Sequence, residues 1–307
     1  CGGAGTDTII GGDGNDYAEG GDGNDYVGGS GGNDSLIGSS GEDYIAGGEG
    51  DDRLLGDADA SSLTGELHGY DVIDGGAGND WIEGGGNDDD IVGGPGNETI
   101  FGDADDLPLE FHGVDFIDGQ EGDDLIVGGG GNDMIWGGAG NDHIEGSEGD
   151  DCLDGGAGDD ILIGGLGDDT FLWDMGNDVI GDKGGNDKVQ RFLDSDNFAF
   201  YSSISESGND LVLAYKQNCD TLTIQNWFEG DRYKVESFQF RNWTYTAADV
   251  DAIATRGWTM GADDDDVLYG PDETGAVIDG KEGNDGIYGG TGNDTLFGED
   301  GDDLLNG

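Results

Sequence analysis

The chain has 307 residues, 68 of them glycine and 3 proline, and its 71 acidic against 10 basic side chains give a net charge of −61. Such a polyanion repels nucleic acid and anionic lipid, and no apolar run is long enough to span a bilayer. Cys1, Cys152 and Cys219 form no C-x-x-C pair, which excludes a disulfide scaffold or a zinc ribbon. What remains is a disordered acidic chain or one whose charge is neutralised by bound cations.

From residue 2 the chain reads in nines: GGAGTDTII, GGDGNDYAE, GGDGNDYVG, GSGGNDSLI, GSSGEDYIA, GGEGDDRLL. The sixth place is acidic throughout and the eighth is apolar: Ile9, Ala18, Val27, Leu36, Ile45, Leu54, and onward to Phe171 and Ile180. A glycine pair followed by a third glycine permits positive φ and a tight turn. The three residues that follow are too few for a strand standing alone. They become stable as rungs of a stacked parallel sheet. Two nonapeptides then make one 18-residue coil, and coils stack at roughly 4.8 Å. The eighth-place residues of two facing sheets form a thin aliphatic core.

Stacking places the sixth-place acids in two columns. One is Asp7, Asp25, Asp43, Asp71, Asp89, Asp115, Asp133, Asp151, Asp169 and then Asp187. The other is Asp16, Asp34, Asp52, Asp80, Glu98, Asp124, Asp142, Asp160 and Asp178. Carboxylates roughly 5 Å apart cannot stay uncompensated. A hard cation with all-oxygen ligands resolves this, and calcium, with 6–8 oxygens in flexible geometry, fits better than magnesium. Glu98 is a weak point because its side chain is longer.

Two turns are swollen, over 56–71 and 102–115. Both open with GDAD and close with HG-x-D. They are expected on one side of the stack, two coils apart. Either they form a paired recognition surface with His68 and His112, or they are ordinary insertions whose histidine closes the loop onto the turn. The second reading is favoured.

From Lys183 to Arg256 the composition shifts to basic and aromatic residues. Alternation over 198–201, 211–213, 221–225 and 235–240 predicts strands of an antiparallel sheet. Residues 246–257 (TAADVDAIATRG) predict a short helix with Thr246 as N-cap. Repeats resume with Asp266, a degenerate unit around Ala276, then Asp285, Asp294 and Asp303.

The register over 2–187 and 261–307 resembles the RTX family, the glycine- and aspartate-rich nonapeptide repeat G-G-x-G-x-D-x-U-x of secreted bacterial proteins. Residues 208–240 resemble the small non-repeat domain found between RTX blocks. The resemblance implies an all-β chain in three parts: a calcium-stabilised parallel β-roll over 1–187, a small antiparallel β domain with one helix over 188–260 that caps it, and a second, incomplete roll over 261–307. It implies multiple Ca²⁺, each sharing an acid from successive turns on one side, on the order of sixteen ions in the first block. It also implies export as an unfolded chain and folding outside the cell, where calcium is abundant.

No catalytic constellation is visible, and the chain reads as a non-enzyme. Three roles fit the pattern. One is a spacer, surface-layer, filament or adhesin segment of a secreted or cell-surface protein. Another is an accessory module of an exported toxin or hydrolase. A third is a carbohydrate-binding module using the swollen turns or the aromatic sheet. The expected partners are calcium, end-to-end copies of the chain and a glycan, with no nucleic acid and no membrane insertion. The sequence opens and closes inside repeats, as expected of a piece of a longer protein or of a unit that stacks on itself.

Overall fold

The computed structural model describes all residues except 58–67, 105–106, 174–175, 192–200, 216–220, 231–232, 241–242, 248–249, 251–257, 261–265, 270–276, 281–282 and 292–293. The chain divides into two compact units, Cys1–Met175 with Gly181–Gly185, and Gly176–Ile180 with Asn186–Gly307.

The first unit is a parallel β-roll. Each nonapeptide contributes one strand of at most six residues, and successive strands alternate between two sheets. One sheet contains Tyr17–Asp22, Ser35–Ser40 and Arg53–Asp57, and continues to Ile161–Leu166. The other contains Thr8–Asp13, Tyr26–Gly31 and Tyr44–Glu49, and continues to Thr170–Leu172. Register is kept by like against like at the eighth place: Ile91 faces Ile117, Ile117 faces Ile135, and Ile135 faces Leu153. Every eighth-place side chain from Ala18 to Phe171 is buried. A one-residue slip would turn this whole row outward, so burial itself fixes the register.

The turns use positive φ at the second and fourth places, as in Gly21 (φ 116°) and Gly23 (φ 122°). Ser30, Ser39, Gln120 and Ser147 occupy the second place with φ of 91°, 96°, 78° and 87°, so the repeat forces this conformation even on residues with a Cβ. The first-place glycine has a different reason, given below.

In the second unit the predicted single antiparallel sheet is instead divided between two sheets. Thr221–Ile224 lies parallel to Asn177–Gly181 and antiparallel to Asp210–Tyr215, which pairs with Tyr201–Ser207. Ser237–Phe240 lies parallel to Lys188–Arg191 and antiparallel to Trp243–Thr246. Local alternation predicted the strands but not their neighbours, because a strand pairs in either sense with the same pattern. Leu211, Leu213, Leu222, Ile224, Trp227 and Phe238 are buried here. Thr246 ends a strand, and the helical residues described after it are Ala247 and Val250. The rest of the expected helix lies outside the described residues, as do Cys219 and Ala276.

The unit also holds a second short roll. Trp258–Met260, Val277–Asp279 and Thr295–Phe297 pair in parallel, as do Val267–Tyr269, Gly286–Tyr288 and Leu304–Asn306. Ile278 and Ile287 are buried between them. Its first rung starts at Trp258.

Candidate metal centre

Each sixth-place aspartate ends a turn and points its carboxylate back into it. Its two oxygens meet different fates. Oδ1 accepts the backbone N–H of the sixth-place residue one coil earlier: Asp7 N–H donates to Asp25 (2.8 Å), Asp25 to Asp43 (2.8 Å), Asp89 to Asp115 (2.8 Å) and Asp151 to Asp169 (2.9 Å). The other column repeats this from Asp16 onto Asp34 (2.8 Å) to Asp142 onto Asp160 (2.8 Å). In the second roll Asp266 donates to Asp285 and Asp285 to Asp303, both at 2.9 Å.

Oδ2 is buried and has no hydrogen-bond partner in Asp25, Asp34, Asp43, Asp52, Asp71, Asp80, Asp89, Asp115, Asp124, Asp133, Asp142 and Asp151. Unpaired buried carboxylate oxygens are costly, and a row of them calls for a compensating ligand. Each sits against the first-place glycine of its own repeat. A Cβ built on Gly20, Gly38 or Gly128 would strike Asp25, Asp43 or Asp133 Oδ2, and on Gly20 it would also lie 2.8 Å from the Gly38 carbonyl oxygen. The first glycine is therefore required by space. It leaves a cradle of carboxylate and carbonyl oxygens between coils, the donor set of a calcium ion.

The electrostatics agree. Burial pushes Asp43, Asp133, Asp142, Asp151 and Asp169 up to about 7 and Asp52 up to about 6. Asp89 and Asp115 rise well above the carboxylate range, first through burial and then through their column neighbours. Glu98 is pushed up to about 9 by burial and by Asp124. Its N–H reaches Asp124 Oδ1 at 2.8 Å, but its own oxygens curl towards Gly93 and Gly96. The other predicted acids lie as follows. Asp7 and Asp16 occupy the same place at lower burial, and Asp160, Asp169 and Asp178 are buried. Asp187 is buried and takes a 2.8 Å bond from its N–H to Glu236. Asp294 has its carboxylate against Gly289.

Two features lay beyond the sequence reading. Fifth-place Asn and Asp side chains form a second ladder of opposite sense: Asn97 N–H donates back to Asn79 Oδ1 (2.8 Å), Asn141 to Asp123 (2.8 Å) and Asp159 to Asn141 (2.9 Å). The recurring N-D pair was its signal. The second feature concerns the swollen turns. Each insertion falls between the second and third places, and the second place is Asp57 or Asp103. In an ordinary coil a Cβ on the next second-place residue would meet a backbone carbonyl, as Gly156 meets Gly138; at Gly85 and Gly129 it meets the Asp57 and Asp103 carboxylates. The carboxylate thus stands in for a peptide carbonyl. Asp57 Oδ2 accepts from Gly86 N–H (3.1 Å) and Asp103 Oδ2 from Gly130 N–H (2.8 Å). His68 Nδ1 lies 2.6 Å from Asp57 Oδ2, and His112 Nδ1 lies 3.0 Å from Asp103 Oδ2. His68 closes its loop onto the turn, whereas His112 Nε2 bonds the Leu107 carbonyl of its own insert at 3.0 Å. The two inserts also meet: the Phe111 ring lies 5.5 Å from that of His68, and Asn87 bonds both Phe111 O (2.8 Å) and His68 O (2.7 Å).

A family model for the RTX calcium-binding nonapeptide repeat matches residues 2–36, 28–63, 69–100, 113–144, 136–171 and 277–307. The chain is an RTX repeat protein. As such it binds multiple calcium ions, and its rolls are a structural calcium-binding module. A second model, the haemolysin-type calcium binding protein related domain, matches residues 210–247. Among solved structures the chain is similar to the extracellular lipase LipA from Serratia marcescens, at 20% identity and a TM-score of 0.29. That match covers 65% of this chain and 37% of the lipase, so the chain spans little more than a third of that protein's length. No curated protein matches the RTX chain. No helix among its described residues is long and apolar enough to cross a membrane.

Proposed function

We propose that this RTX chain is a calcium-triggered folding module of an exported protein, acting outside the cell as a rigid spacer in a surface-layer, filament or adhesin assembly. The observation that carries this reading is the column of buried, unpartnered Oδ2 atoms, each cradled on a first-place glycine. The ligands are the sixth-place acids of both columns, with Asp187, and those of the second roll, in the three-part division 1–187, 188–260 and 261–307. Bound calcium supplies the positive charge that lets these carboxylates ionise inside the roll.

The aspartates then do two jobs with two oxygens. Oδ1 ties one coil to the next through a backbone N–H, and Oδ2 faces the ion. Without the ion, the ionised column opposes stacking, and the chain stays open and suited to export. With it, binding free energy becomes folding free energy. The module has no catalytic role in this reading.

Circular dichroism during a calcium titration tests it, with magnesium as control and a chelator as reversal. A cooperative gain of β signal with calcium alone supports the reading. A β signal that is independent of calcium overturns it.

A further inference from the structure

In each strand of the first roll the eighth place points inward, so the seventh and ninth point out on the same side. One sheet holds Trp81–Gly85, Thr99–Asp103, Leu125–Gly130, His143–Glu148 and Ile161–Leu166. Strand pairing keeps its outward places in two rows. One row carries Trp81, Leu125 and Ile161, and the other Phe101, Val127 and Ile163. Leu125 and Ile161 are 40% and 39% exposed, and the other four are partly exposed. The Trp81 and Phe101 rings lie 5.8 Å apart.

The charges on this face set it apart. Of the ten lysines and arginines in the chain, the first unit holds Arg53 and Lys183 alone. Both lie here. Arg53 is in register with Trp81 and sets its guanidinium 4.6 Å from the centre of that ring. Lys183 Nζ lies 3.5 Å from Oε1 of Glu145, a ninth-place residue of this sheet. The face therefore has a base and an acid towards each end, Arg53 with Glu83 and Lys183 with Glu145, and Phe101, Leu125 and Val127 between them. The opposite sheet also exposes Phe116, Met134 and Trp136. Over the same coils, however, its outward places hold Asp74, Asp90, Asp118 and Asp154 and no base.

We propose that this face pairs with the same face of a second copy of the calcium-loaded chain, about a two-fold axis that lies between the faces and runs across the stack. Turned end for end, the Arg53–Glu83 end of one copy meets the Glu145–Lys183 end of the other, and the apolar middles cover each other. Pairing through the opposite sheet would set aspartate against aspartate. A basic partner would be drawn to that sheet rather than to this one, and an acidic partner is repelled by the chain as a whole. The size fits a pair. The seven strands from Ser35–Ser40 to Ile161–Leu166, at roughly 4.8 Å by about 20 Å of strand, give a face of roughly 650 Å², near the ~800 Å² per partner of a stable interface.

Sedimentation of the full chain at saturating calcium tests this, from about 1 µM to about 200 µM protein, the range in which a modest interface dissociates. The expected result is a monomer–dimer equilibrium. Leu125→Lys and Val127→Lys each raise its dissociation constant about ten-fold or more, the loss expected at the centre of an interface. Arg53→Glu raises it as well, and Met134→Lys on the opposite sheet leaves it unchanged. Dichroism of each variant with calcium shows that the roll still forms. A β-rich monomer at every concentration overturns the pairing and leaves the calcium-folding reading intact. A dimer indifferent to Leu125 and Val127, or growth past the dimer as end-to-end stacking would give, overturns it too.

Discussion

A glycine in this repeat does one of two things, and only one concerns φ. The second and fourth places need a left-handed backbone, and the second place imposes it even on Ser30, Ser39, Ser147 and Gln120. The first place needs emptiness. Gly38→Ala would press a methyl into Asp43 Oδ2 and Gly56 O, and overpacking of this kind costs about 1–3 kcal/mol. The expected outcome is a higher calcium midpoint in the dichroism titration. Ser39→Gly, at the neighbouring second place, should leave that midpoint unchanged or lower it slightly, because it relieves a positive φ. Similarly, Asn141→Ala removes an exposed acceptor from Asp159 N–H, and a hydrogen bond of this class is worth about 0.5–1.5 kcal/mol. Denaturant melts at saturating calcium should show that small loss with no change in calcium stoichiometry. The sixth-place acids and the eighth-place aliphatics were legible because period and residue type coincide. The reason for the first glycine was not, since a residue without a side chain does not announce whether it serves a torsion or a void.

At the scale of the element, the swollen turns show how a coil is opened without losing its ladder. Asp57 and Asp103 are the first aspartates of the two GDAD openings. In the structure their carboxylates replace a missing carbonyl; His68 is hydrogen-bonded to Asp57, while His112 lies beside Asp103 and bonds the Leu107 carbonyl through Nε2. His68→Ala would strand a buried Asp57, which burial already holds up to about 6. An unpaired buried group of this kind costs about 1–3 kcal/mol. In a double-mutant cycle by thermal melting, His68→Ala with Asp57→Asn should cost less than the sum of the two single changes. Additive effects would show that the pair is not a latch. The insertions themselves and their closing histidines were legible from the repeated GDAD and HG. The pairing sense of the strands after residue 176 was not, because alternation fixes which face is buried but not which neighbour a strand meets.

For the whole molecule, the acid columns set the response to pH. In the metal-free roll, Asp43, Asp133, Asp142 and Asp151 have folded values near 7, above those of unfolded aspartate, about 3.9. A group raised on folding favours the fold while protonated, and that contribution is lost as pH rises through its folded value. Chelated protein should therefore gain β signal as pH falls from 8 to 5. Calcium-loaded protein should show the reverse trend, since protons compete for the same oxygens. A chelated chain whose dichroism is flat across that range would mean the columns do not oppose stacking.

The two side-chain ladders give the roll a direction. Where both ladders run, as between the coils of Asp124 and Asp142, the lower coil offers an aspartate N–H and a fifth-place oxygen, and the upper coil offers their complements. The two faces of a coil are therefore plug and socket, not mirror images. Coil adds to coil only head to tail, and two like faces cannot seal each other. Any partner that docks on a coil face through these groups must copy the polarity of the chain, which admits an open-ended series and forbids a two-fold pair at that face.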